Sequence, residues 1–278
     1  MRKTWTTLGV LFVCVAALAL FVALKPPKPQ TVSHAVSPLT PADARSLRVM
    51  RKGVTLAVLE KRGTQWFLLD PVKAPADALQ VARLLAVLEA KSAQQYAATN
   101  LAKFELNTPQ AEIFINDQRF AFGAINNVTR EQYVLTQQQV YPLELRFAAA
   151  IPNDATALLR RSVLAPGDTP ARFEFGAFAV DYDGKKWRTT PATGDISQDD
   201  YNRWVAQWRE GSALRTEATD PRQVAKECHI VLKDGRKVTL GIVQTDPELI
   251  VRRGDLGLQF VFVGDIGAQM LAPPGPQK

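Results

Sequence analysis

The sequence predicts an α+β protein: an N-terminal transmembrane helix followed by two repeated modules, each a mostly antiparallel sheet with one packed helix in the order strand, strand, helix, strands. Three observations carry that reading. Residues 4–24 form an uninterrupted uncharged run. Two stretches about 120 residues apart show the same succession of alternating and helical apolar patterns. Each alternating stretch turns at a glycine that a tryptophan follows closely.

The background composition is ordinary for a globular chain: 278 residues, 46% hydrophobic and 22% charged. That excludes a wholly disordered, collagenous or multi-spanning protein. Two cysteines and two histidines are too few for a disulfide scaffold or a multi-zinc protein, and no cofactor is expected. The formal charge of +7 is concentrated at the start. Arg2, Lys3, Lys25 and Lys28 stand in residues 1–30 with no acid, leaving 30 basic and 27 acidic side chains beyond them. There the signs alternate, so the basic stripe of a nucleic-acid reader is missing.

The first element is the anchor, residues 1–24. The 21 uncharged residues between Lys3 and Lys25 make a helix of about 31 Å, which matches a hydrocarbon core of about 30 Å. A cleaved signal peptide fits less well, because the nearest small-x-small site, Ser33-His34-Ala35, lies beyond a proline-rich stretch. The short basic N-terminus and long downstream domain favour N-in, domain-out topology. Gly9, Ala16 and Ala23 recur every seven residues, with Ala19 near the same stripe. This is the candidate surface for packing against another membrane helix. Residues 25–46 hold five prolines and no aromatic residue, and read as an extended stalk.

The first module, 47–150, opens with Val54-Thr55-Leu56-Ala57-Val58-Leu59, turns at Arg62-Gly63 and returns through Trp66-Phe67-Leu68-Leu69. A helix follows, with Val81, Leu84, Leu85 and Leu88 on one stripe. Strands return at Ile113-Phe114-Ile115, Phe120-Ala121-Phe122, Gln132–Leu135 and Val140-Tyr141. After a connector at 151–170, with a short helical run from Ala155 to Val163, the second module at 171–272 repeats the order. Its hairpin is Phe178–Tyr182, Asp183-Gly184 and Trp187–Thr190, and its helix carries Tyr201, Trp204, Val205 and Trp208. Its returning strands are Ile230-Val231-Leu232, Val238-Thr239-Leu240, Leu249-Ile250-Val251 and Gln259–Phe262. Ser197 with Asp200 resembles a capping box, and residues 273–278 form a disordered tail.

Gln65-Trp66, Leu69-x-Pro71, Pro75-Ala76-Asp77, Gly123, Tyr133-Val134, Asp246–Val251 and Leu256-Gly257-Leu258 resemble an uncharacterised family of membrane-anchored bacterial proteins with a domain of unknown function, in its shorter proteobacterial form. Some members are similar to neighbours of gliding-type ABC exporters. The resemblance implies a single-pass protein of the bacterial inner membrane with periplasmic modules, and supplies no catalytic residues.

Chemical signatures are sparse. The sequence has no Gly-x-Ser-x-Gly elbow, phosphate loop, Gly-x-Gly-x-x-Gly or His-Glu-x-x-His. Cys228 and His229 are adjacent, so on a strand they point to opposite faces. Asp181-Tyr182-Asp183-Gly184 reads as a hairpin turn, since Ala192 stands where a calcium loop needs its bidentate glutamate. Trp204 and Trp208 sit on the apolar stripe of their helix and read as core. Trp187 and Arg188, with Arg252 and Arg253 at a strand end, are the candidate interaction surface. The expectation is a non-catalytic scaffold or accessory subunit of an envelope membrane complex, transporter-associated, whose partners are integral membrane proteins or a second copy of the chain. The alternative is a glycan- or lipid-binding module, marked by a cleft between the modules. An enzyme ranks third.

Overall fold

The computed structural model describes residues 33–192, 194–219 and 226–275. Its strands in the N-terminal half are β1 (His34–Ala35), β2 (Ser46–Arg51), β3 (Val54–Arg62), β4 (Gln65–Asp70), β5 (Ala74–Pro75), β6 (Lys91–Ser92), β7 (Tyr96–Ala97), β8 (Ala111–Ile115), β9 (Gln118–Asn126), β10 (Glu131–Thr136) and β11 (Gln139–Glu144). Those of the C-terminal half are β12 (Pro170–Glu174), β13 (Ala179–Tyr182), β14 (Trp187–Thr190), β15 (Arg215–Ala218), β16 (Lys226–Leu232), β17 (Lys237–Gln244), β18 (Glu248–Arg253) and β19 (Leu258–Val263). The α-helices are α1 (Ala78–Leu85), α2 (Leu145–Ala149), α3 (Gln198–Glu210) and α4 (Gly264–Leu271). Mostly antiparallel sheets with a few helices make this an α+β fold.

One sheet runs β5-β4-β3-β2-β8-β9-β10-β11-β7 and the other β14-β13-β12-β16-β17-β18-β19-β15. Each pairs a three-strand meander, through its first strand, to the four-strand meander that follows the helix. In each, a short strand after the helix closes the far edge. Each half therefore has a strand, β2 or β12, ahead of the hairpin that the apolar pattern showed, and the first half adds the short β5 before its helix. In β2 the buried Leu47 and Val49 alternate with exposed Ser46 and Arg48. In β12 Phe173 is the one large apolar residue that is fully buried, too thin a signal for a period-two pattern.

The helices form where their sequence caps them. The Asp77 carboxylate accepts from the amides of Leu79 and Gln80 at the start of α1. Val81, Leu84 and Leu85 are buried, and Leu88 follows in a 3-10 turn. Ser197 caps α3 by accepting from the Asp200 amide. From α3, the indole of Trp204 donates to the Ala272 carbonyl and that of Trp208 to Met270. Two ring N–H groups thus satisfy carbonyls at the C-terminal end of α4. Around them Phe173, Phe175, Phe178 and Trp187 form an aromatic cluster, with Phe173 4.7 Å from the Trp204 ring.

The stalk and connector expectations change. Val36 and Ala44 are fully buried, and β1 pairs with β6, so the stretch from His34 to Ser46 is part of the fold. Its prolines interrupt the chain without removing these two apolar anchors. Pro274 is buried as well, so the tail expectation begins too early. In the connector only Ala155–Leu158 forms a turn of 3-10 helix; Leu159 and Ser162 make single bridges, and bends with a turn at Pro166-Gly167 make up much of the rest. Among the described residues no helix is long and apolar enough to cross a membrane. The anchor at 1–24 and its stripe of Gly9, Ala16, Ala19 and Ala23 lie outside the described residues.

Candidate functional site at the seam of the two sheets

The extended part of the connector runs between the β5 edge of one sheet and the β15 edge of the other. On one side Asp77 donates its amide to the Leu158 carbonyl and Arg160 to the Pro75 carbonyl. On the other, the Thr216 hydroxyl donates to the Arg160 carbonyl at 3.0 Å, and the Ala213 amide to Arg161 at 2.9 Å. Leu158, Leu159, Val163 and Leu164 fill the space beneath it. The upstream end is fixed by Arg51, which donates to the carbonyls of Pro152 and Ile151. Backbone pairing and apolar burial thus make one continuous core across both halves.

A cleft of about 470 Å³ opens along this seam. Trp66, Asp77 and Leu79 line it from the N-terminal half, Arg160 and Arg161 from the connector, and Ser212 from the C-terminal half. Arg160 is only 8% exposed. Its Nε donates to the Ser162 carbonyl at 3.1 Å. Burial, and then the positive charge of Arg253, lower its pKa to about 10. It stays charged at neutral pH, a cation in a desolvated wall.

Other charges near the seam are committed. Arg253, 6% exposed, donates to the Val163 carbonyl at 2.6 Å and to both oxygens of Asp255. That pairing holds the Asp255 carboxyl below the usual carboxylate range. Asp168 accepts from the Ala165 amide and from Arg236. Asp77 is engaged in its helix cap.

The sequence-predicted surface does not assemble. Trp187 is 8% exposed, packed with Phe173 and Tyr182. Its backbone amide and carbonyl bond the Gln198 side chain. Arg188 points the other way on β14, is exposed, and pairs with Asp183. Arg252 lies half-buried on β18, and Arg253 is turned into the core beside it. Four strands separate β14 from β18, about 24 Å at 4.8 Å per step. Trp187 and Arg253 are structural. The His229 ring faces Thr239 while Cys228 is buried on the opposite face; burial pushes the Cys228 thiol up to about 12. Among the described residues no group of His, Cys, Asp and Glu is placed to hold a metal.

A second depression, about 750 Å³, lies at the hairpin tips of the first sheet, lined by Leu101, Gln118, Leu135, Thr136, Gln137 and Gln138 among others. Gln118 ties it to the segment after β1, accepting from Ser37 and donating to Thr136. Gln137 and Gln138 both have positive φ, 48° and 59°, the geometry of the two-residue turn that closes the β10–β11 hairpin at Thr136 and Gln139. Beside the groove Tyr96 stacks on Phe104, and Tyr133 meets Tyr96 edge-on and Phe104 at a tilt.

A family model, that of a domain of unknown function, DUF4340, matches residues 66–232, more than half of the chain. The chain belongs to this family. No curated protein and no solved structure matches it. The DUF4340 span begins at Trp66 in the cleft wall, contains the whole connector and closes at Leu232 on β16. The seam residues Arg160, Arg161 and Asp168 were not singled out in the sequence. The signal that marks the two arginines is their pairing inside the apolar run from Ala155 to Leu164; nothing comparable marks Asp168.

Proposed function

We propose that this DUF4340 protein is a non-catalytic, membrane-anchored accessory subunit of a bacterial envelope complex, with its soluble part in the periplasm, and that it works by contact. The observation that carries the reading is the hairpin-tip groove. It combines an aliphatic floor at Leu101 and Leu135 with an amide rim at Gln118, Gln137 and Gln138, the mixture of apolar and hydrogen-bonding surface that protein interfaces use. The uncharged run at 4–24 supports the anchor, and the matching strand orders support an origin of the two halves by duplication. Packing of Gly9, Ala16, Ala19 and Ala23 against another membrane helix, and association with an exporter, belong to the same reading.

The test is affinity purification of the intact anchored protein in mild detergent, with the partner identified and its stoichiometry measured. Gln138→Trp would block the groove without touching the core, and should reduce recovery of a stoichiometric membrane partner at least tenfold. A monomer free of partners at native abundance would refute the reading.

The seam cleft favours a second reading, a glycan- or lipid-binding module. Trp66 and Leu79 offer apolar surface beside the polar Ser212 and Arg161, the lining typical of small-molecule sites. Native mass spectrometry of the purified chain would reveal a retained ligand.

A further inference from the structure

We propose that the seam cleft receives an oxyanion group, a carboxylate or phosphate, on the guanidinium of Arg160. The inference rests on the ligand-binding reading of the cleft and is separable from it. A neutral glycan or lipid bound there would leave that reading standing and remove the oxyanion.

Arg160 carries five N–H donors in a planar fork. Its one hydrogen bond runs from Nε to the Ser162 carbonyl, and the two terminal nitrogens have no acceptor among the described residues. More than nine-tenths of the residue is removed from solvent, and it lines the cleft. Neither terminal nitrogen is among the side-chain atoms buried without a partner, so both face the solvent of the cleft, where an acceptor can reach them. A bidentate oxyanion is the partner whose geometry the fork matches.

The surrounding groups point the same way. Arg253 places a second positive charge close enough to depress the Arg160 pKa, yet all the donors it uses are spent on Val163 and Asp255. The neighbouring carboxylates are likewise occupied: Asp168 by Arg236 and the Ala165 amide, Asp255 by Arg253, and Asp77 by the first turn of α1. On the rim Glu210 is exposed and lies 3.9 Å from Arg209. An incoming anion therefore meets one buried cation with open donors, while Asp168 and Asp255, whose charges also reach Arg160, are hydrogen-bonded to other groups. The volume, about 470 Å³, admits a small acid or a headgroup.

The experiment uses the full chain in dodecyl maltoside and follows thermal unfolding while inorganic phosphate is titrated against chloride at matched ionic strength. Phosphate should raise the midpoint saturably, since a ligand that binds only the folded state stabilises it by mass action. Arg160→Met should weaken the apparent affinity at least tenfold, and Arg160→Lys should fall between, keeping the charge without the fork. Leu79→Glu, an exposed change at the mouth of the cleft, should weaken it as well, and keeps the test decisive if Arg160→Met does not fold. Competition by phosphatidylglycerol vesicles, but not by neutral galactolipid vesicles, would assign the phosphate to a lipid headgroup; absence of competition would assign it to a free anion. Equal responses to phosphate and chloride, or unchanged phosphate affinity in Arg160→Met or Leu79→Glu, would overturn the proposal.

Discussion

Arg253 and Val163 stand 90 residues apart, and a 2.6 Å hydrogen bond from Nη1 of the arginine to the carbonyl oxygen joins them. It ties the end of β18 to the connector just beyond the residues that pair with β5 and β15. The bond is buried, and the same guanidinium also holds Asp255 in a two-point grip. Replacing Arg253 by lysine keeps the charge but cannot reproduce three directed bonds. We expect Arg253→Lys to lower unfolding free energy by about 1.5–3 kcal/mol, the range for losing hydrogen bonds to a charged group. Urea denaturation measures it, and a change below 0.5 kcal/mol would show that the clamp is dispensable.

The Arg253–Asp255 pair also sets a pH dependence. The folded-state pKa of Asp255 lies below its ordinary 3.8. Its stabilising contribution is therefore complete above that value and disappears as pH falls through the folded pKa. The carboxylate is more than half exposed, so screening reduces the effect to about a few tenths of a kcal/mol. Stability of wild type minus that of Asp255→Asn should be positive at pH 5–7 and shrink below pH 4. A constant difference from pH 3 to 7 would contradict the assignment.

Trp208 is almost wholly buried and donates to the Met270 carbonyl. Phenylalanine retains most of the apolar surface but strands that carbonyl, so Trp208→Phe should cost about 1–3 kcal/mol. Alanine leaves a cavity as well, and Trp208→Ala should cost about 3–5 kcal/mol. Hydrogen exchange in α4 should accelerate in both, because the lost partner lies at its C-terminal end. Exchange changes spread evenly over the molecule would count against this link.

Sequence patterns revealed elements where one residue type dominates an energetic choice. The stripe Tyr201, Trp204, Val205 and Trp208 is the buried face of α3, because four large apolar side chains at helical spacing have one economical placement. The glycine turns at Gly63, Gly184 and Gly235 appear with positive φ for a similar reason. What stayed hidden depends on partners far along the chain. Arg253 read as a strand-end surface charge, yet its acceptors are Val163 and Asp255, and no local pattern announces a carbonyl 90 residues away. Trp187 read as a recognition ring because tryptophan is common at interfaces, but Phe173 and Tyr182 cover it. The run from Ala155 to Val163 looked helical from its apolar spacing; Ala155–Leu158 forms a 3-10 turn, but the residues beside β5 and β15 draw Leu159 and Ser162 into single bridges. Arg160 was concealed by the same fact, since its burial follows from that pairing.

Gly123 is where the loop carrying Phe104 crosses β9 most closely. A Cβ there would lie 2.2 Å from the Phe104 carbonyl oxygen and under 3 Å from the Leu106 side chain. A backbone carbonyl cannot rotate aside as a flexible side chain can. The small cluster of Phe104, Leu106, Ala121 and Val140, with Tyr133 and Leu135 against it, also lies beside the hairpin-tip groove that Leu101 and Leu135 line. Gly123→Ala should therefore lower stability by about 1–3 kcal/mol, as overpacking does, and should displace the loop at 101–106. The chemical shifts or exchange rates of that loop should change more than those around Trp208. If Gly123→Ala melts like the wild type with the loop unchanged, the close crossing is absent and the floor of the groove must be built another way.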